Sequence, residues 1–222
     1  MHEAPALRVR RPIGPRAFSR RIAWRALGPG VLAAAAPSLF PVIAAGLVVV
    51  NNELPVADEA RAVRLGAVLA GTFAAALVGE RLAVRRPPWP WERALPRSAR
   101  GRVLDDATVL GVAACVPIVP VVAIDPLSAV VGLAAVPALA LRGAAAMRRD
   151  GAHRTLAAGP LLIEGGFASL VAGLFPWSAV VFLAAVPWAI RAAERAERER
   201  SVVRWIALHH HARGDSASWS GR

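Results

Sequence analysis

Between Ala26 and Asn52 no residue carries a charge, and residues 31–50 alone are long enough to cross about 30 Å of hydrocarbon. Five more apolar runs follow, each bounded by charged or turn-forming residues: 63–84, 107–124, 126–141, 155–174 and 177–190. A water-soluble domain of 222 residues has too small an interior for a chain that is 56% hydrophobic. Sorting apolar and charged residues into blocks is the alternative, and the blocks have helical, bilayer-spanning lengths. The expected fold is therefore all-α, a polytopic membrane protein with six transmembrane helices. Its parts would be a cytoplasmic arm and interfacial helix (1–30), a six-helix transmembrane domain (31–190), and a charged helix with a disordered tail (191–222). Pro37 and Pro41 are expected to kink the first span. The dipeptide Asp125-Pro126 and the triplet Phe175–Trp177 leave room only for tight turns.

Charge supplies an orientation. The chain has 27 basic residues against 15 acidic ones, and every basic residue other than His is Arg. Residues 1–30 hold seven arginines, 80–106 seven, 142–154 four and 191–222 seven, while Arg61 and Arg64 fall in the first connection. Alternate connections thus carry nearly all the positive charge. By the positive-inside rule they belong in the cytoplasm, with both termini, in an inner or plasma membrane. The same distribution argues against nucleic acid as a partner, since the arginines flank apolar runs and form no stripe on a soluble module. Arginines through the first 25 positions, with no short apolar region and cleavage site after them, argue against a cleavable signal peptide.

At the N-terminus, Phe18, Ile22, Ala26 and Leu27 share a helical face among Arg16, Arg20 and Arg21, the pattern of an interfacial helix. At the other end, residues 191–200 read as a charged helix continuing the sixth span, with Glu194 and Arg198 at i,i+4.

Candidate chemistry is sparse. No nucleotide-binding loop, metalloprotease or hydrolase motif occurs, so no catalytic residue and no cofactor are expected. The single Cys115 excludes an internal disulfide and a multi-cysteine metal site, and it reads as a small buried hydrophobe. His209, His210 and His211 read as a cloning remnant or surface run, and no metal is expected. Asp105 and Asp106 read as negative charges welcomed at a helix N-terminus. Glu164 alone lies well inside a span; such a residue is costly in a bilayer and is either functional or engaged within the bundle. Gly165, Ser169 and Gly173 follow at four-residue spacing, a small-residue stripe suited to close helix approach.

The most distinctive connection is residues 80–106. Pro87, Pro88 and Pro90 break the helix leaving the membrane, Trp89 and Trp91 suit the headgroup region, and Ser98 can cap the next helix. Leu95-Pro96-Arg97-Ser98, preceded by Glu80 and Glu92, resembles a stretch found in the membrane subunits of ABC-2 type exporters. That family also has an interfacial N-terminal helix, six spans and both ends inside. It places short re-entrant helices between the last two spans, for which Phe175–Trp177 leaves no room here. The resemblance implies a permease with no ATPase motif of its own, pairing as a homodimer or heterodimer. A separate ATP-binding-cassette subunit would dock on the 88–106 loop, with Trp91, Glu92, Arg93, Leu95, Arg97 and Ser98 as the coupling residues. The alternatives are a membrane-embedded lipid or isoprenoid enzyme using Asp105, Asp106 and Glu164, and an accessory subunit of a larger membrane complex.

Overall fold

The computed structural model describes residues 36–52, 55–85, 98–148 and 158–199. The expected interfacial helix, the loop residues Trp91, Glu92, Arg93, Leu95 and Arg97, and His209–His211 lie outside the described residues. Among the described residues the fold is all-helical. A 3-10 turn, Ala36–Leu39, leads into α1 (Phe40–Asn52). There follow α2 (Val56–Arg85), α3 (Ala99–Cys115), a second 3-10 segment (Val119–Ala123), α4 (Pro126–Ala146), α5 (Ala158–Leu174) and α6 (Ser178–Glu199).

Local chemistry sets the boundaries. Pro55 accepts backbone hydrogen bonds from Asp58 and Glu59, and those two carboxylates sit in the first turn of α2, where the helix dipole favours them. Ser98 caps α3 by accepting from the Gly101 amide at 3.0 Å. Pro117 and Pro120 lack amide donors, so the apolar run that continues past Cys115 proceeds as turns and 3-10 helix. Asp125 caps α4, accepting from Leu127 N at 3.1 Å and from the Ser128 hydroxyl, with Pro126 in the first turn.

The helical frame is shifted from the apolar pattern at two places. α3 starts eight residues before the apolar run at 107, so Arg100, Arg102, Asp105 and Asp106 lie within the helix. Pro41 sits in the first turn of α1, where a proline costs no hydrogen bond; the proline inside a helix is Pro137 in α4 and Pro187 in α6. Two helices, over Val56–Leu82 and Pro126–Ala146, are long and apolar enough to cross a membrane, while the apolar helices Ala36–Asn51 and Gly159–Leu174 are shorter.

α2 and α4 form the centre. α2 packs on α1, α3, α4 and α5, and α4 packs on α2, α3, α5 and α6, whereas α5 and α6 scarcely touch each other. Small residues make this density possible. Ala67, Val68, Ala70, Ala74, Ala75 and Val78 of α2 are fully buried, and Ala144 and Val131 of α4 likewise. The approach is closest where α5 crosses α2. A Cβ added to Gly165 would fall inside the Thr72 side chain, Ser169 is buried with its hydroxyl donating to Gly165 O at 2.7 Å, and Gly173 lies against Leu65 and the Arg61 carbonyl.

Gly165→Ala should therefore destabilise the bundle by about 1–3 kcal/mol, the usual cost of forcing atoms into a filled core. Thr72→Ala in the same chain removes two of the three clashing atoms and should restore part of the loss, which thermal unfolding of the two variants in detergent would measure.

Candidate functional site

Among the described residues, ion pairs inside the bundle gather in two clusters. The first joins α3, α4 and α6 at the end where α4 finishes. Arg148, just past α4, is 3% exposed and divides its guanidinium among three acceptors. Nη1 donates to the Ala144 carbonyl at 2.8 Å, Nη2 to Asp106 Oδ2 at 2.6 Å, and Nε to Glu197 Oε2 at 2.6 Å. The other Glu197 oxygen accepts from Arg102 Nε at 2.6 Å. The result is a line of alternating charge, Asp106–Arg148–Glu197–Arg102, with no net charge. Around its rim, Arg100 and Arg198 stand 3.9 and 3.7 Å from Glu194 and are well exposed, so they add little.

Burial alone would push the Glu197 carboxyl up. The adjacent Arg148 charge and the hydrogen bonds from Arg102 and Arg148 more than reverse that, holding it below the usual carboxylate range. Burial likewise disfavours the charged Arg148, and the Asp106 and Glu197 carboxylates outweigh it.

This geometry corrects the reading of Asp105 and Asp106. With α3 beginning at Ala99, neither carboxylate is in the first turn, so the helix dipole is not what holds them. Asp106 is instead a partner of Arg148, and Asp105 is buried beside it on the same helix.

The second cluster holds Glu164. Its carboxylate grips Arg142 of α4 side-on, Nε to Oε2 at 2.6 Å and Nη2 to Oε1, and the Arg142 Cζ lies 5.1 Å from the Trp188 ring centroid on α6. Two helices that scarcely touch each other, α5 and α6, are thus bridged through α4 by three side chains. The charge pattern places Arg142 in the following connection; in the structure it is the fifth residue from the end of α4. Arg64 was also assigned to a connection. It lies within α2, buried, and donates to the carbonyls of Ala172 and Gly173 at 3.1 and 3.5 Å, closing the C-terminal end of α5.

Of the loop residues expected to couple to a partner, only Ser98 is described, and it caps α3 at the same end of the bundle as Arg148. Among the described residues no group of three or more His, Cys, Asp or Glu could hold a metal ion.

Arg148→Leu should cost about 3–5 kcal/mol, because it removes the cation that stands between two buried carboxylates, Asp106 and Glu197. Arg148→Lys should rescue little, since one ammonium cannot reproduce the planar fork that meets both carboxylates. The lowered Glu197 carboxyl adds a pH dependence. Its contribution is fully present above the ordinary glutamate range, about pH 4–5, and is lost as pH falls through the lower folded value. Thermal unfolding followed from neutral pH into acid should show that loss in the native chain and a flatter profile in Glu197→Gln. The chain matches no family model, no curated protein and no solved structure.

Proposed function

We propose that the chain is a membrane-embedded transport subunit with six crossings and both termini in the cytoplasm, acting as the permease of an ABC exporter. The observation that carries the membrane part is the inverted distribution of side chains. Large apolar residues face outward on the peripheral helices: Phe40 and Ile43 on α1, Phe167 and Leu170 on α5, Val180 and Leu183 on α6. The buried Arg148, Asp106 and Glu197, meanwhile, meet one another inside. Water favours the opposite arrangement, and hydrocarbon favours this one.

Support for the transport part is mechanical. A partner pushing on the loop after α2 would deliver force to the start of α3. That start is wired to α6 through Arg102–Glu197 and to α4 through Asp106–Arg148. Movement of the loop would then act on three helices together, as coupling to an external ATPase requires. The lipid-enzyme alternative needs acidic groups available for metal or proton chemistry, whereas Asp106 is buried and engaged by Arg148.

Two experiments test the parts separately. In a chain whose Cys115 is replaced, single cysteines at Ala94 and Ala152 should resist an impermeant thiol reagent in intact cells, while one at Pro176 should react; labelling at 94 from outside overturns the six-span topology. Leu95→Asp should abolish co-purification of an ATP-binding-cassette subunit while leaving membrane insertion intact. Survival of that complex, or the absence of any such ATPase from the purified native chain, removes the permease reading.

A further inference from the structure

α5 and α6 both pack on α4 and scarcely touch each other, so the face between them opens onto α4. At one level of that opening Arg142 projects from α4, Glu164 from α5 and Trp188 from α6. The three are unequally covered. The Arg142 side chain is 18% exposed and that of Glu164 39%. Trp188 is 64% exposed, and Phe167, one turn along α5 from Glu164, is 67% exposed. The positive member of the ion pair is therefore the inner one. Its carboxylate partner and the Trp188 ring form the accessible rim, with Phe167 exposed one turn along α5.

Such a rim has a definite ligand preference. An anion would have to pass the carboxylate to reach Arg142, whose Nε and Nη2 are already committed to it. A cation meets the carboxylate first and the electron-rich ring faces beside it, the two elements that recognise organic ammonium groups away from water. The exposed apolar residues along the same helices, Ile163 and Phe167 on α5 and Leu183 on α6, suit a ligand whose charge carries apolar arms.

We propose that the Glu164–Trp188 rim is a binding site for lipophilic organic cations. Arg142 serves as an internal counter-ion that keeps the site neutral when it is empty and is loosened when a ligand takes its place at the carboxylate. This names a substrate class for the transport role above and rests on the membrane-embedded part of that reading. It does not depend on the ATPase.

The test uses the full chain in lipid nanodiscs, with tetraphenylphosphonium as probe and tetraphenylborate as the anion of matched size and shape, each measured by equilibrium dialysis. The phosphonium should bind saturably and the borate should not. Glu164→Gln and Trp188→Ala should each weaken phosphonium binding on the order of tenfold or more, with Trp188→Phe retaining most of it. Trp188 is exposed, so its removal tests the site even if Glu164→Gln fails to fold. Equal binding of phosphonium and borate, no saturable phosphonium binding, or a Trp188→Ala chain that binds like the native one overturns the site. Saturable cation binding without any co-purifying ATPase sustains the site and removes the permease assignment. A co-purifying ATPase with no cation binding does the reverse.

Discussion

A guanidinium held inside an apolar bundle must find acceptors on every side, and Arg148 finds them on three helices. Removing such a group from water is costly, by several kcal/mol even after relaxation, and one carboxylate rarely offsets that. Here the planar fork is divided between Asp106 of α3, Glu197 of α6 and a carbonyl of its own helix, while Arg102 takes up the remaining Glu197 oxygen. Each bond restrains a different helix. The direction in which α3 and α6 approach the end of α4 is therefore dictated by the geometry of one side chain. Hydrophobic burial holds these helices together without specifying their register, and the ionic line supplies it.

Further along the bundle, α2 and α5 are held by other means. There α2 and α5 meet through small residues, and the close approach at Thr72 and Gly165 replaces long side chains with backbone contact. Dispersion between closely packed backbones depends steeply on distance, so an interface of this kind tolerates little change in size at the crossing point. Arg64 completes the contact by taking the last carbonyls of α5, which would otherwise be left without donors. Directional charge thus fixes one end of the bundle, and shape fixes the crossing of α2 and α5.

What the sequence discloses follows the range of the interaction. Ser98 is legible as a cap because capping is local: the hydroxyl sits three residues from the amide it meets. The turns at Asp125-Pro126 and Phe175–Trp177 are legible for the same reason, as is the helical continuation into Arg191–Glu199. Asp106 is not, since its partner is 42 residues away and the pairing depends on how α3 and α4 lie together. The onset of hydrophobicity at 107 is not the onset of helix: the Ser98 cap and the helix-forming arginines after it mark a start at Ala99. Arg64 and Arg142 were assigned to connections because charge was used to delimit spans. An arginine can end a span or be held inside one by partners distant in sequence, as Arg64 and Arg142 are, and charge alone does not separate the two.

The two ionic clusters differ in the property that separates scaffold from site. Arg148, Asp106 and Glu197 are all buried, and each Glu197 oxygen has a donor. A network so enclosed gains nothing by opening, because any movement exposes unmatched charge to an apolar surround. Arg142 and Glu164 form an equally direct pair, yet Glu164 keeps well over a third of its side chain accessible and the cation is shielded on one face by an exposed ring. A cation that took the guanidinium's place at that carboxylate would add a positive charge to the site, because Arg142 stays tethered to α4. Arg142 would then have to turn away from Glu164, keeping the Trp188 face as its neighbour. Occupancy of the face between α5 and α6 would thereby act on α4, the helix whose end Arg148 ties to α3 and α6.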